Sequence, residues 1–417
     1  MGMTFAEKIL AKSSGKSVVN PGEFVTATID LAATHEAFAM AFKVLKEAGI
    51  QSVWNPDKIV NILDHWVPAS TERAATMHKT IRQLIKELGI KNAYDVKSGI
   101  CHQVFMEKGH ILPGQLIVGA DSHTTTYGAL GAAGTGIGTT EMAYVLATGK
   151  LWFKVPETIK FVLKGKLGGM ITSKDIILFI AGKYSSEVAQ YKSIEFTGPV
   201  ADAMSLSSRM TMSNMSVELG AKFGFFAVDD KTIKFLKPIV NGEIDPLSPD
   251  TDAKYEAVYE VNVSEIEPQI ALPFSVDNVK PISEIGEITV NQALIGSCTN
   301  GRLEDLEAAA TILEGKTVHP DVRLLIVPSS YEVYLAALKE GILETFIRAG
   351  GIILNSSCGP CFGAHMGLLA EGERCIASIN RNFKGRMGSE TAEVYLSSPQ
   401  VVAASAITGK IMDPRGI

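Results

Sequence analysis

Residues 288–302 read ITVNQALIGSCTNGR, a short apolar run that ends at a glycine and is followed by a cysteine. Such a run, bounded by turn-forming residues, is typical of a buried strand in a parallel sheet. Residues 351–363, GIILNSSCGPCFG, repeat the arrangement and end in a Cys-x-x-Cys pair. In open α/β sheets, ligands gather beyond the carboxyl ends of the strands. These two stretches predict an α/β fold with thiols at the end of one sheet.

The rest of the chain alternates helical patterns with short apolar runs. Apolar residues at three-to-four spacing that end before a glycine predict helices over residues 37–48 and 71–88. Apolar runs predict strands over residues 59–63 and 116–119, and polar residues follow both runs. Residues 159–167 resemble a strand and residues 173–184 a helix. This alternation favours α/β units throughout.

The length of 417 residues predicts several domains, because single cores rarely grow beyond roughly 250–300 residues. Three α/β domains are predicted, over residues 1–154, 155–268 and 282–417. The segment 267–281 carries three prolines and has weak periodicity. We therefore predict an inter-domain linker there.

Composition and charge exclude several classes of function. Hydrophobic residues make up 46% and charged residues 20% of a chain with a net charge of −6. The overall charge gives no reason to expect nucleic acid or an anionic membrane as a partner. The N-terminus lacks the apolar stretch of a signal peptide, and no apolar run is long enough to span a membrane. We expect a soluble cytoplasmic protein, in which cysteines stay reduced or bind metal.

Three of the five cysteines point to a metal centre. Cys298, Cys358 and Cys361 all follow apolar runs of the same predicted domain, and soft thiolates suit zinc or iron–sulfur clusters. An electron-transfer cluster normally has four protein thiolates, whereas three would leave one iron open as a Lewis acid. Two alternatives remain open: reduced structural thiols, and a zinc site completed by His365.

The other two cysteines are less informative. Cys375 lies inside an apolar run and is expected in the core, while Cys101 precedes His102 and is expected to be at most a bystander of the site. The glycine-rich segment 128–141 lacks both the correctly spaced G-x-G-x-x-G and the Gly-Lys-Ser/Thr ending of nucleotide loops. We interpret it as tight packing.

Five motifs together identify a family. In chain order they are DHWVP (64–68), GADSHTTTYGALG (119–131), GSCTNGR (296–302), SSCGPCFG (356–363) and NRNFKGRMG (380–388). Their sequence, order and spacing resemble those of the aconitase superfamily across essentially the whole chain. The length and C-terminal sequence resemble the separate large subunit of its two-chain members. We expect the swivelling fourth domain of single-chain members to be absent here.

The resemblance implies three α/β domains around a central 4Fe-4S cluster held by Cys298, Cys358 and Cys361. The iron without a cysteine ligand would bind the hydroxyl and carboxylate of the substrate. The expected reaction is dehydration of a hydroxy di- or tricarboxylic acid and rehydration at the adjacent carbon, without net redox change.

An acid–base set falls within the motifs. His65 has Asp64 beside it, and the resemblance pairs His102 with Asp121 and His123 with Glu218. A carboxylate fixes the tautomer of an imidazole and raises its basicity. His65 would protonate the departing hydroxyl, because hydroxide is a poor leaving group without an acid and a metal. His78, His110, His319 and His365 match no catalytic motif and are interpreted as structural.

Other matches concern the substrate and the cluster. Arg381 and Arg386 match carboxylate-binding arginines, and guanidinium groups suit that task. Ser122 and, with weaker support, His35 match substrate contacts. Asn214 and Asn380 match residues that support the cluster.

The resemblance also implies a partner. In the family, the base that removes the carbon-bound proton is a serine of the swivelling domain, so this chain is expected to need a separate small subunit. The substrate is then left open among malate-type and citrate-type acids. An RNA-binding regulatory role, known for some single-chain relatives, gains no support from the acidic balance, and a structural zinc protein is the remaining alternative.

Overall fold

The computed structural model describes residues 2–240, 244 and 246–417. Its strands are β1 (Phe24–Thr28), β2 (Leu31–Thr34), β3 (Ile59–Ile62), β4 (Asn92–Tyr94), β5 (Leu116–Gly119), β6 (Ala133–Gly136), β7 (Lys150–Lys154), β8 (Thr158–Lys164), β9 (Ser193–Thr197), β10 (Phe223–Phe225), β11 (Ala257–Asn262), β12 (Gln269–Ala271), β13 (Val279–Pro281), β14 (Gln292–Gly296), β15 (Arg323–Val327), β16 (Ile352–Ile353), β17 (Arg374–Ala377) and β18 (Glu393–Leu396).

The helices alternate with these strands. They are α1 (Phe5–Ser14), α2 (Phe38–Glu47), α3 (Glu72–Glu87), α4 (Cys101–Glu107), α5 (Thr139–Thr148), α6 (Ser173–Tyr184), α7 (Pro199–Ala203), α8 (Leu206–Met215), α9 (Asp230–Leu236), α10 (Ser297–Asn300), α11 (Leu303–Leu313), α12 (Tyr331–Lys339), α13 (Ile342–Arg348), α14 (Gly359–Phe362) and α15 (Pro399–Thr408). Short 3₁₀ helices include Ser122–Leu130 and Ser216–Leu219. The predicted α/β class is confirmed.

The first sheet has five parallel strands in the order β4-β3-β2-β5-β6. Its strands β3 and β5 are short and buried, as the apolar runs at residues 59–63 and 116–119 predict. The predicted helix over residues 71–88 is α3, which begins after Thr71, whose hydroxyl accepts from the Ala74 amide. β1 and β7 form a separate antiparallel pair. The carboxyl ends of β2, β3 and β5 therefore lie side by side.

The second sheet is also parallel, with four strands in the order β10-β9-β8-β11. The helix predicted over residues 173–184 is α6, and α8 carries the chain back towards the first sheet. Phe223 and Phe225 of β10 pack in the core of the first unit, where Phe225 stacks on Phe5 at a ring distance of 5.1 Å. The first two units thus share apolar packing.

The third sheet has seven strands in the order β13-β12-β18-β17-β14-β15-β16. Its centre is parallel, and β12 and β13 add an antiparallel edge. The prediction that residues 267–281 form a linker is wrong, because these residues supply the two edge strands. They have three residues each, too few to show a period, and an edge strand tolerates proline. The domain boundaries themselves remain predictions.

One hydrophobic core spans the second and third units. Phe161 and Phe196 of the second sheet belong to the same buried cluster as Cys375 and Leu396 of the third. Cys375 is completely buried in β17, as the sequence predicts. The glycine-rich segment packs tightly, because a Cβ added at Gly128 would lie 1.8 Å from the Gly224 carbonyl oxygen. Within the described ranges, no helix combines the length and apolar character needed to cross a membrane.

Candidate active site

Polar side chains follow the carboxyl ends of three adjacent strands in the first sheet. His35 comes directly after β2, Asp64 and His65 follow β3, and Asp121 follows β5. Since β2 lies between β3 and β5, these side chains emerge from one edge of the sheet. His35, Asp64 and His65 are buried. The ring of His35 stacks on that of His65 at 4.1 Å, so the structure brings these predicted residues together.

His65 is held between two carboxylates. Its Nδ1 lies 2.6 Å from Asp64 Oδ1, and its Nε2 lies 3.5 Å from Asp121 Oδ2. The other Asp64 oxygen accepts from the Cys101 amide at 2.8 Å. Burial opposes protonation of His65, yet Asp64, Cys358 and Asp121 raise its pKa well above the usual range. His65 is therefore built to carry a proton at neutral pH.

Asp121 organises the other two histidines. Its Oδ1 lies 2.8 Å from His102 Nε2 and accepts from the His123 amide at 2.7 Å. Burial would raise the pKa of Asp121, but hydrogen bonds from His102, His123 and His65 lower it well below its usual range. One ionised carboxylate thus fixes three imidazole-bearing residues.

A second carboxylate joins the first two units to the third. Glu218, in the 3₁₀ turn after α8, has its Oε1 2.7 Å from His123 Nε2 and accepts from Arg381 Nε at 2.7 Å. Burial would raise the pKa of Glu218, but His123 and Arg381 lower it. Arg381 Nη1 also donates to the Ser122 hydroxyl at 3.5 Å. The predicted pairing of Glu218 with His123 is present, and Arg381 is a further partner that the sequence did not indicate.

The three predicted metal-binding cysteines are buried at the end of the third sheet. Cys298 lies in α10 after β14. Cys358 directly precedes the short α14, and Cys361 lies within it. Gly296 makes the sharp exit from β14 possible: it has φ 131°, and a Cβ there would lie 2.0 Å from the Val327 carbonyl oxygen. The Cys358 amide donates to the Asp64 carbonyl at 2.9 Å. The thiol-bearing loop is thereby tied to the loop of the general-acid candidate.

Two asparagines direct their amides at these sulfurs. Asn214 Nδ2 donates to Cys298 Sγ at 3.4 Å, and Asn380 Nδ2 donates to the same sulfur at 3.5 Å. Asn380 Nδ2 also donates to Asn214 Oδ1 at 3.0 Å, and Asn380 Oδ1 accepts from Cys361 Sγ at 3.3 Å. Hydrogen bonds to cysteine sulfur are a lever by which proteins tune iron–sulfur clusters. Both asparagines are fully buried.

Burial keeps two of these thiols protonated in the metal-free chain. It raises the pKa of Cys298 above its usual range and that of Cys358 to about 11, although His65 opposes the second shift. Because only thiolates bind metal, loading must release these protons.

Arg386 contacts one of the thiols. Its Nη2 donates to Cys361 Sγ at 3.8 Å, and its guanidinium lies 5.8 Å from the ring centre of Phe362. Its Nε has no hydrogen-bond partner among the described residues. Together with Arg381, it places a second guanidinium at the site.

Glu36 is a residue of this site that the sequence patterns did not indicate. This fully buried carboxylate accepts from the amides of His65 at 3.0 Å and Trp66 at 3.2 Å. Its Oε2 lies 3.7 Å from Nδ1 of both His35 and His65, and its Oε1 lies 3.4 Å from His78 Nε2. The available signal was local: His35-Glu36 follows β2 much as Asp64-His65 follows β3.

Replacing Glu36 by alanine is expected to lower the free energy of unfolding of the metal-free chain by about 2 to 5 kcal/mol, because a buried and a half-buried amide lose their acceptor. Glu36→Gln keeps an acceptor oxygen and should cost less. Urea denaturation under reducing conditions measures both, with the exposed Glu47→Ala as control. Equal stability of Glu36→Ala and the wild type would contradict this account.

The thiol arrangement suits a cluster better than a single ion. A tetrahedral zinc ion with Zn–S bonds of about 2.3 Å needs sulfurs about 3.8 Å apart. The three sulfurs do not all lie within 4.8 Å of one another; among the described residues, the potential ligand sets that meet this limit are His35-Glu36-Asp64-His65 and His102-Asp121-His123. His365 Nε2 lies 2.6 Å from the Pro68 carbonyl oxygen, so it is engaged elsewhere. Buried soft donors with N–H groups aimed at them fit an iron–sulfur cluster.

Known proteins resemble this chain over its length. The sequence model of the aconitase family (aconitate hydratase) matches residues 7–409. The 3-isopropylmalate dehydratase large subunit 1 of Methanopyrus kandleri is 51% identical over 416 residues, covering 100% of this chain and 99% of that protein. The probable methanogen homoaconitase large subunit of Methanothermobacter thermautotrophicus is 47% identical over 418 residues, covering 99% and 98%.

Among solved structures, the holo-form crystal structure of Thermococcus kodakaraensis aconitase X aligns with a TM-score of 0.49 and 13% identity, covering 85% of this chain and 84% of that one. The family match and the full-length relatives carry the assignment on their own. This chain belongs to the aconitase family.

Proposed function

We propose that this chain is the large, cluster-carrying subunit of a two-subunit hydro-lyase that isomerises a hydroxy di- or tricarboxylic acid. Membership of the aconitase family implies an iron–sulfur cluster. We assign it as a 4Fe-4S cluster held by Cys298, Cys358 and Cys361, with one iron free of cysteine. The first choice of reaction is that of 3-isopropylmalate dehydratase in leucine biosynthesis, and homoaconitase is the alternative.

The observation that carries this proposal is the direct link between thiols and acid–base groups. The Cys358 amide and the Ser357 hydroxyl both donate to the Asp64 carbonyl oxygen, at 2.9 and 2.8 Å. The Asp64 carboxylate in turn holds His65. A purely structural metal site gains nothing from a protonated histidine fixed at its edge, whereas dehydration needs both a metal and an acid.

The chain's own residues account for the proton that leaves with the hydroxyl group. When bound, a cluster with an iron free of cysteine supplies a Lewis acid for the substrate's hydroxyl and carboxylate. His65 holds a proton on its imidazole while Asp64 fixes the ring, and donates it to the departing hydroxyl. Asp64 then stays ionised. In the reverse direction, the neutral imidazole accepts a proton from the incoming water.

Asp121 and its histidines keep this acid in place. The carboxylate of Asp121 faces His65 and is itself fixed by His102 and by the His123 amide. We assign His102 and His123 as members of this acid–base set. Glu218 holds Nε2 of His123, and Asp121 Oδ1 lies 3.4 Å from Nδ1 of the same ring, so rotation of the ring is restrained from both sides.

The substrate is an anion, and the site supplies guanidinium groups for it. Arg381 and Arg386 carry the positive charge expected to bind carboxylates bidentately. Glu218 fixes Arg381 through Nε, which leaves the Nη groups to point at a ligand and at Ser122. His35, stacked on His65, is assigned as a further polar contact. Asn214 and Asn380 are assigned to support the cluster.

A small subunit is part of this proposal. The relatives are named as large subunits, so we infer a separate small subunit that carries the swivelling domain and its serine base. The chain alone should then bind the cluster without turning over substrate. We place the complex in the cytoplasm, where the free cysteines remain reduced.

The choice of substrate is tested by comparing two acids. The chain is reconstituted with iron and sulfide without oxygen, combined with a small subunit from the same source, and assayed by the ultraviolet absorbance of the unsaturated acid. We expect higher kcat/KM with 3-isopropylmalate than with homocitrate. The reverse order would support homoaconitase. A cluster-loaded complex inactive on both acids would overturn the proposed reaction.

A further inference from the structure

A buried lysine lies behind the site and has no part in the chemistry described so far. Lys174, at the start of α6, has no exposed surface. Its Nζ donates to the carbonyl oxygen of Ser378 at 3.1 Å and to that of Ile379. No carboxylate of the described residues forms an ion pair with it, and the neighbouring Asp175 instead accepts from the amides of Gln269 and Thr172.

Burying a cation with only carbonyl partners is costly, so its retention calls for an explanation. Burial lowers the pKa of Lys174 to about 7, while negative charge at Cys361 would raise it. Negative charge on the thiols therefore favours the ammonium form of this lysine.

The carbonyls that Lys174 holds belong to the turn that enters the site. Ser378 and Ile379 follow β17 and immediately precede Asn380 and Arg381. Asn380 contacts the sulfurs of Cys298 and Cys361, and Arg381 is bound to Glu218. A lysine that holds these two carbonyls therefore fixes the main chain from which the side chains of Asn380 and Arg381 extend.

We infer that Lys174 is a positioning residue of the metal centre, which holds the turn at residues 378–381 and supplies positive charge behind the three thiolates. The inference rests on the cluster assigned under the proposed function and goes beyond it by naming a group that contacts neither cluster nor substrate. Three thiolates bring negative charge into a buried site, and an ammonium group fixed behind them offsets it.

A second buried cation repeats the arrangement on the other thiol-bearing loop. Arg302 donates to the carbonyl oxygens of Cys298 and Thr299, both at 2.7 Å. Its nearest carboxylate, Asp305, lies 3.9 Å away. Each of two strand-end turns at the site is thus held from behind by a buried cation bound to main-chain carbonyls. This repetition supports a role connected with the charge of the centre.

The test separates the charge of Lys174 from its hydrogen bonds. Lys174→Gln removes the charge and keeps a donor for the carbonyls, whereas Lys174→Met removes both. Lys183→Met, an exposed lysine on the same helix, is the matched control. The full chain is reconstituted without oxygen. The readouts are the midpoint potential from electron paramagnetic resonance, the rate of iron loss to a chelator, and kcat and KM of the complex with the small subunit.

Both Lys174 variants are expected to shift the midpoint potential to more negative values, because the extra electron of the reduced cluster loses a compensating charge. Iron loss should be about 10- to 100-fold faster, the usual cost of removing a supporting group around a metal site. Lys174→Met alone should also raise KM, because the turn carrying Arg381 is no longer held. Lys183→Met should match the wild type in every readout.

The inference would be overturned if both Lys174 variants had the midpoint potential and the chelation rate of the wild type. This would hold even if both variants melted at a lower temperature, because a loss of stability alone does not change the midpoint potential. Failure of the proposed function is distinguishable, because in that case the wild-type chain itself takes up no cluster, or its cluster-loaded complex is inactive on both acids, whatever the Lys174 variants do.

Discussion

Replacing Cys298 by serine is expected to give a folded protein that keeps no stable cluster and has only background activity with the small subunit. Serine supplies a hard hydroxyl in place of a soft thiolate, and its oxygen is rarely ionised. In the wild type, anaerobic reconstitution should give a brown protein with about four irons and matching sulfide, as a cubane cluster requires. Iron, sulfide, zinc and the visible spectrum measure the outcome.

The matched control is Cys375→Ala, which removes a thiol buried in β17 away from the site. It should cost some stability and leave the iron content unchanged. Equal iron in Cys298→Ser and the wild type would remove Cys298 from the ligand set. A colourless wild-type protein that holds zinc under these conditions would restore the structural-zinc alternative.

Replacing His65 by asparagine is expected to lower kcat by about 10²- to 10⁴-fold, the usual contribution of a positioned acid. The iron content and visible spectrum should stay those of the wild type, because His65 lies beside the thiols without being assigned as a ligand. Steady-state kinetics of the complex measures the loss, with His319→Asn as control, because this half-buried histidine lies beside Asp321 and not at the site. A kcat within a few-fold of the wild type would assign the proton to another group.

The raised pKa of His65 predicts how activity depends on pH. This pKa is raised above the usual 6.5, so the protonated form persists at neutral pH, and activity that needs that proton is lost as pH rises through the raised value. Asp64→Asn removes the carboxylate 2.6 Å from the ring. We expect the alkaline fall of kcat to move to lower pH in this variant. An unchanged pH profile, with the cluster retained, would contradict the pairing.

Local patterns were enough to predict much of the fold. The apolar run at residues 116–119 is β5, and the pattern at residues 173–184 is α6, because a buried strand and an amphipathic helix each impose a period on their own residues. The edge strands β12 and β13 were not predicted, because they are too short to show a period. With three residues each, they gain their conformation from pairing with neighbours rather than from any pattern of their own.

The sequence by itself determined which side chains stand at strand ends: the thiols after β14 and β16, the acids and histidines after β3 and β5, and the arginines after β17. These positions follow from local structure, and the family motifs added their expected roles. The family resemblance pointed to His35, while the role of the adjacent Glu36 stayed hidden, because the amides it binds belong to His65 and Trp66 on another segment of the chain.

Only the tertiary structure decided which of these groups meet. Arg381 reaches Glu218 across 163 residues of chain, and Lys174 reaches Ile379 across 205. Such contacts depend on the order of strands within each sheet and on how three sheets pack, and neither leaves a periodic trace in the residues involved. The cost of burying a charge became visible only once the surroundings of Lys174 and Glu36 were known, because that cost is a property of the environment and not of the residue type.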